Sequence, residues 1–168
     1  MKELDTYPML AEWLYNKILG KHDVFDDKVI TATNVEFSFG CRYEFDIIGG
    51  FETKKNRITR LYNIEVKIDG DIKGLMNQGF RNSVNWFDYT YIATPLNEYF
   101  NYYQHTIFKN YDFYLDKAPF GWLIFDFPTK RIWPSIRPKI NKRLLGRYER
   151  NEIITRLGLN PKNLLGGY

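Results

Sequence analysis

Three consecutive segments in the first half of the chain, residues 29–39, 42–48 and 60–69, alternate apolar and polar side chains. A period of two is typical of β-strands, because successive side chains point to opposite faces of a sheet. Gly49 and Gly50 end the second segment, and the polar connection ETKKNR leads into the third. The pattern therefore predicts one strand followed by a long antiparallel hairpin.

The third predicted strand has one apolar face and one polar, charged face. The apolar face consists of Tyr62, Ile64, Val66 and Ile68. The other face consists of Leu61, Asn63, Glu65, Lys67 and Asp69. A carboxylate and an ammonium group on one face of such a strand indicate either a solvated surface or the floor of a site.

Helices are predicted on both sides of these strands. Residues 7–19 carry apolar side chains at helical spacing, and Gly20 follows as a suitable stop. Residues 71–87 and 97–111 are also predicted to be helical. Their expected inner stripes are Ile72, Leu75, Met76, Phe80 and Val84 in the first, and Phe100, Tyr103, Ile107 and Tyr111 in the second.

Residues 88–94 and 121–127 predict two more strands, and residues 131–136 a further short one. Residues 141–157 predict a helix with a break near Gly146. The fold class is therefore α/β (α+β), with a central mixed β-sheet flanked by helices. We expect a single domain over residues 1–168, with a basic C-terminal extension from about residue 128.

Composition limits the class of protein. Hydrophobic residues make up 44% and charged residues 26%, a balance typical of a globular protein with a buried core. No apolar run is long enough to cross a bilayer, and the start lacks the pattern of a secretion signal. Cys41 is the only cysteine, so no disulfide can form within the chain. We expect its side chain to be buried. These features predict a cytoplasmic protein without membrane contact.

Positive charge is concentrated in two stretches. Residues 130–150 hold eight basic side chains against Glu149, a net charge of +7 on a chain whose total is +4. The second stretch precedes the third strand and contains Lys54, Lys55, Arg57 and Arg60. Two basic clusters on an otherwise slightly acidic chain indicate an anionic polymer as partner, although charged runs are also common on solvated surfaces.

Charged side chains of the second and third strands are expected to meet. Asp46 points away from Tyr43, Phe45 and Ile47, and pairing of the strands brings it to Glu65 and Lys67. Carboxylates that repel each other are tolerated where a divalent cation such as Mg²⁺ neutralises them. A metal and a lysine at one point suit the hydrolysis of a phosphodiester. Glu12 on the first helix is placed to lean over this group.

Asp46 followed by Glu65-Val66-Lys67 on the next strand resembles the signature of the PD-(D/E)xK nuclease superfamily, which includes restriction endonucleases and archaeal Holliday junction resolvases. Residues 7–94 follow the order of that superfamily's restriction endonuclease-like core. The proline of the motif is absent, since Glu44-Phe45 precedes Asp46. The resemblance covers a little over half of the chain.

The resemblance implies a role for each matching residue. Asp46, Glu65 and the Val66 carbonyl would bind Mg²⁺ or Mn²⁺, with Glu12 as a further ligand, and Lys67 would be the catalytic lysine. Gln78 or Arg81 would match a polar position on the following helix. The residues expected to contact DNA phosphates are Lys54, Lys55, Arg57, Arg60, Arg81, Arg137, Lys139, Lys142 and Arg143.

Two functions follow from this interpretation. The first is a metal-dependent endonuclease acting on DNA, including branched or structured DNA, and resolvase-like relatives predict a homodimer. The alternative is a nucleic-acid-binding protein that keeps the scaffold without catalysis. Glycine loops for phosphate, zinc motifs and HExxH are absent from the sequence, so no nucleotide cofactor is expected. A solvated strand face with an ion pair to Asp46 stays open as the structural alternative.

Overall fold

A computed structural model describes residues 2–20, 27–53, 59–104, 118–140 and 147–159. A 3₁₀ turn at Glu3–Thr6 precedes the first helix. The helices are α1 (Tyr7–Leu19), α2 (Ile72–Asn85), α3 (Leu96–Gln104) and α4 (Arg147–Arg156). The strands are β1 (Asp27–Ser38), β2 (Arg42–Thr53), β3 (Thr59–Val66), β4 (Tyr89–Pro95), β5 (Gly121–Asp126) and β6 (Arg131–Ile136).

The six strands form one mixed sheet in the order β1-β2-β3-β4-β5-β6. The first three strands are antiparallel neighbours, which confirms the predicted hairpin. β4 is parallel to β3 and to β5, because α2 and α3 carry the chain back between successive strands. β6 returns antiparallel to β5. The α+β class with a mixed sheet flanked by helices is therefore confirmed.

Helices cover both faces of the sheet. On the α1 face, Leu10, Leu14 and Ile18 of α1 pack against apolar side chains of four strands. These strand residues are Ile47, Phe51, Tyr62, Ile64, Val66, Tyr91, Ala93, Leu123 and Phe125. On the α2 face, Leu75 of α2 packs against Ile92 and Trp122. None of the helices in the described residues is long and apolar enough to span a membrane.

α4 packs on the α2 face at the opposite end from α3. Its Ile153 and Ile154 lie in a buried cluster with Ile48, Leu61 and Trp86. The predicted helix over 141–157 is thus observed from Arg147, and residues 141–146 lie outside the described residues. The same holds for residues 105–111 of the helix predicted over 97–111.

β2 continues through Gly49 and Gly50 to Thr53, so the predicted end of the strand at these glycines is wrong. The two glycines serve close packing instead. A Cβ at Gly49 would lie 3.0 Å from Leu14 of α1, and one at Gly50 would lie 2.7 Å from Leu159. The absence of side chains here lets both layers approach the sheet.

The alternation of β2 reverses at Asp46. Phe45 and Ile48 both pack on the α2 face, whereas Ile47 packs on the α1 face. The prediction that Phe45 and Ile47 share a face is therefore wrong. Asn34 of β1 lies opposite Asp46, because its two neighbours in β1 pair with the two neighbours of Asp46 in β2. Its φ is +51°, in the left-handed region that asparagine tolerates. The backbone of both strands is therefore irregular at this point, and Asp46 does not follow the alternation of side chains along β2.

Three single-residue expectations are wrong. Phe80 and Phe100 are each 55% exposed, so neither belongs to the inner stripe of its helix. α2 instead turns Gly79 inward, where a Cβ would lie 2.7 Å from Ile92, and its neighbour Phe80 lies on the outer side of the helix. Cys41 is exposed in the turn between β1 and β2.

Arg150 is a buried residue and not part of a solvated basic surface. Its guanidinium lies 2.6 Å from the Asp88 carboxylate and donates to the Trp86 carbonyl oxygen. The same carboxylate accepts the backbone N–H of Leu61. This ion pair joins α4 to the start of β4, so the net charge counted along residues 130–150 overstates what the surface presents.

We predict that Arg150→Met destabilises the protein by about 3 kcal/mol, because it leaves the Asp88 charge buried without its main partner. Urea unfolding followed by circular dichroism measures the free energy of unfolding. The control is Arg42→Met, which removes an exposed ion pair with Glu36 and should change the unfolding midpoint little. Equal loss in both variants would contradict the structural role of Arg150.

Candidate functional site

A pocket of about 410 Å³ opens where β2 and β3 separate. The residues that line it come from the N-terminal turn, β1, β2, β3 and α2. They are Glu3, Leu4, Tyr7, Asn34, Glu44, Asp46, Glu65 and Gln78. The structure thus brings together Asp46, Glu65 and Gln78 of the predicted site.

Asp46 lies at the fork between β2 and β3. The two strands pair from Glu52 opposite Thr59 to Ile47 opposite Ile64, and the ladder stops there. The Asp46 carboxylate then accepts the Val66 N–H at 2.7 Å, in the place of a backbone carbonyl. Since the N–H and C=O of one strand residue point to the same side, the Val66 carbonyl also faces the fork.

The second oxygen of Asp46 binds the N-terminal segment. Tyr7, the first residue of α1, donates its hydroxyl to Asp46 Oδ1 at 2.5 Å. Both carboxylate oxygens therefore have a donor, one from β3 and one from α1. These two contacts hold the Asp46 side chain between β3 and α1.

Glu65 is 1% exposed, which rules out the solvated strand face considered for it. Its Oε1 accepts hydrogen bonds from Asn63 Nδ2 at 2.9 Å and from Asn82 Nδ2 at 2.7 Å. Asn82 also donates to Asn63 Oδ1, and Arg81 Nε donates to Asn82 Oδ1. Amide groups of β3 and α2 thus hold the Glu65 carboxyl at the inner end of the pocket.

Two acidic groups of the pocket, Asp46 and Glu65, have a pKa above that of an ordinary carboxyl group. Burial raises the pKa of Glu65 well above its usual value, and the neighbouring Asp46 charge raises it further. Burial also raises the pKa of Asp46, although the Tyr7 hydroxyl and the Val66 N–H oppose the increase. Burial disfavours the ionised form of both carboxyl groups, and a bound cation would stabilise that form.

Lys67 follows the end of β3, and its Nζ lies 3.7 Å from Glu3 Oε2. Its N–H continues the ladder to Ala93, which fixes the backbone. Burial and the Asp46 charge raise the pKa of Glu3, and the Lys67 charge opposes the increase at Glu3 and at Asp46. Because Glu3 lines the pocket, the amine paired with it lies beside the pocket although it does not line it. The lysine of the predicted site therefore lies beside the pocket that contains Asp46 and is partly engaged by Glu3.

Glu12 does not reach the pocket. It is exposed on α1 and lies outside the lining residues. The glutamate that the N-terminal segment brings to Asp46 is Glu3, one turn before α1, because the buried face of α1 begins at Tyr7 and Leu10 and points Glu12 outward. The predicted metal role of Glu12 has no support in this geometry.

The predicted DNA-contacting residues are divided by the structure. Arg81 is half-buried beside the pocket, and Arg60 pairs with Asp88 at 3.5 Å. Arg137 and Lys139 follow β6 and are exposed. Lys54, Lys55, Arg57, Lys142 and Arg143 lie outside the described residues, so their role stays a prediction.

Mg²⁺ commonly binds one or two carboxylates and completes its shell with water and substrate oxygens. Asp46, Glu65 and the Val66 carbonyl are oxygen donors of this kind at one fork, so their chemistry fits such an ion. Within the described ranges, no group of three or more His, Cys, Asp or Glu side chains is arranged to hold a metal. The fit is therefore to a water-rich magnesium site and not to an all-protein cage.

Several residues of the site have no strong sequence signal. Glu3 lies in the turn that precedes α1, Tyr7 is the first residue of α1, and Asn34 has an unusual φ. The sequence does indicate Asn63 as a site residue, because it lies two residues before Glu65 on the same strand face. Asn82 is visible only once α2 is packed on β3.

No protein-family model, no curated protein and no solved structure matches the chain. Its function is therefore inferred from the geometry of the fork and the residues that meet there.

We predict that Glu65→Gln stabilises the metal-free protein at pH 8 by roughly 1–3 kcal/mol, because glutamine keeps the Oε1 acceptor and removes the buried charge. The raised pKa means that Glu65 favours folding below its unfolded pKa and that this contribution is lost as pH rises through the folded pKa. The gain of the variant should therefore shrink as pH falls. Urea unfolding in EDTA over a pH series measures it.

Glu12→Gln is the matched control, since Glu12 is exposed on α1 and carries the same change in charge. Its unfolding free energy should follow that of the parent protein at every pH. A Glu65→Gln variant less stable than the parent at pH 8 would contradict the burial of a strained charge at this position.

Proposed function

We propose that the protein is a Mg²⁺-dependent endonuclease that hydrolyses phosphodiester bonds in DNA. The observation that carries the proposal is the position of Asp46 at the fork of β2 and β3, bound to the Val66 N–H, with Glu65 in the same pocket and Lys67 beside it. Acidic oxygens and an amine at one point are the groups that phosphodiester hydrolysis requires.

Each side chain has a distinct task in this proposal. Asp46 and Glu65, with the Val66 carbonyl, would hold the ion, which when bound makes hydroxide available near neutral pH and neutralises phosphate charge. Lys67, which lies beside the pocket and is paired with the lining residue Glu3, would orient an attacking water and counter the charge that grows on the phosphate. Asn63 and Asn82 position the Glu65 carboxyl.

The order of elements supports the restriction endonuclease-like part of the proposal. From α1 to β4 the chain runs helix, three antiparallel strands, helix and a strand parallel to the third. The resemblance noted in the sequence implies the same order, with the acidic residues on the second and third strands. A fold alone does not define an activity, so the proposed activity still depends on the residues at the fork.

A non-catalytic nucleic-acid-binding protein is the second candidate, and one observation favours it. Both Asp46 oxygens and Glu65 Oε1 already accept hydrogen bonds, and Lys67 is paired with Glu3. Such a site can be a polar network without metal. This alternative predicts salt-dependent DNA binding that survives substitution at the fork.

A homodimer and a cytoplasmic location stay predictions. A homodimer would pack through the aromatic helix predicted over residues 97–111, of which the structure describes the first part. Light scattering at working concentration decides between monomer and dimer, and a monomer mass would exclude paired cuts by one stable dimer.

We predict that the protein cuts labelled duplex, single-stranded or four-way-junction DNA with Mg²⁺ or Mn²⁺, and that EDTA stops the reaction. Asp46→Asn, Glu65→Gln and Lys67→Met should each lower the rate by about 100-fold or more, because each removes a group held at the fork. Gel analysis of the products measures the rate.

Glu12→Gln serves as the control and should cut like the parent protein, since its side chain is exposed outside the pocket. Cleavage that persists in Asp46→Asn, or the absence of any cut with metal on all three DNA forms, would contradict the proposed activity. Salt-dependent binding without cleavage would favour the second candidate.

We predict that Tyr7→Phe shifts the acid limb of the pH–rate profile to higher pH. The Tyr7 hydroxyl lowers the pKa of Asp46 by donating to its carboxylate, and phenylalanine removes that donor while keeping the ring in the core. The rate should therefore fall several-fold at pH 6 and little at pH 8. An unchanged acid limb would show that Asp46 ionisation does not control the rate.

A further inference from the structure

An aromatic surface with an arginine lies next to the pocket. We define the stacking surface as the side chains of Phe39, Tyr43, Arg81 and Trp86. Arg81 places its guanidinium carbon 5.2 Å from the Tyr43 ring centroid and 5.8 Å from that of Trp86. Trp86 is buried as the base of the surface, whereas the other three side chains are half-buried at its margin.

The rings of the stacking surface support one another. Tyr43 packs on Trp86 with centroids 4.9 Å apart at 65°, and Phe39 lies 5.9 Å from Tyr43 and 6.0 Å from Trp86. Trp86 is part of the buried cluster beneath α4. The margin is therefore held rigidly, which lowers the entropic cost of binding a flat ligand.

Two chain connections link the stacking surface to the pocket. Tyr43 precedes Glu44, which lines the pocket, and Arg81 follows the lining residue Gln78 by one helical turn. Arg81 also donates to Asn82, the residue that holds Glu65. A nucleotide whose phosphate lies in the pocket is thus within reach of this surface by its base.

We propose that the stacking surface binds an unpaired nucleobase of DNA beside the bond to be cut. Aromatic faces and guanidinium planes stack on bases that are not paired, whereas bases inside a duplex present only their edges. The positive charge of Arg81 suits the adjoining phosphate. The inference depends on the proposed function and gives its substrate class: DNA with a single-stranded or frayed nucleotide at the cleavage site.

The test measures binding in EDTA, where no cleavage occurs. Fluorescence anisotropy compares a blunt duplex, the same duplex with a single-stranded extension, and that extension with abasic sites. The extension should tighten binding by roughly ten- to a hundredfold, and removal of its bases should abolish the gain. This comparison needs no variant, so it holds even if a substitution prevents folding.

Tyr43→Leu should lose most of the preference for the extension, because leucine fills space against Trp86 without an aromatic face. Tyr15→Leu, a change of the same kind at an exposed position on α1, should keep it. An abasic extension that binds as tightly as the intact one would overturn the inference, as would an unchanged preference in a folded Tyr43→Leu variant.

Cleavage with Mg²⁺ or Mn²⁺ on the same DNA separates this inference from the proposed function. Base-dependent binding without any cut overturns the enzyme and supports the stacking surface. Cutting without base-dependent binding overturns the stacking surface and supports the enzyme.

Discussion

The hydrogen bond from the Val66 N–H to the Asp46 carboxylate is the contact on which the site depends. It ends the β2–β3 ladder with a side chain in the position of a backbone acceptor, so a charged oxygen is held between two strands. The reversal of β2 at Asp46 makes this possible, because regular alternation would have kept the side chain on one sheet face. Tyr7 of α1 then donates its hydroxyl to the second oxygen of Asp46.

The fork holds two carboxyl groups whose ionised forms are disfavoured by burial. Glu65 and Asp46 each have a pKa raised by burial, while asparagine amides, a tyrosine hydroxyl and a backbone N–H supply partial compensation. The surrounding layers provide stability elsewhere, through apolar packing on both faces and the buried Arg150–Asp88 pair. Carboxyl groups with raised pKa values are typical of functional sites.

The sequence predicted the mixed sheet, the antiparallel hairpin and the meeting of Asp46 with Glu65, because alternation and strand order determine them. It did not predict that β2 passes through Gly49 and Gly50, since the need for glycine there comes from α1 and Leu159 pressing on the sheet. Glu3 in place of Glu12 depends on how α1 is rotated on the sheet, which local spacing at residue 12 does not show.

Calorimetric titration of the metal-free protein with Mn²⁺ shows whether Asp46 and Glu65 together hold one ion. We expect one bound ion per chain in the parent protein and in Glu12→Gln, and loss of that binding in Asp46→Asn and in Glu65→Gln. Binding that is absent from the parent, or that survives in both fork variants, would exclude Asp46 and Glu65 as joint ligands of one ion.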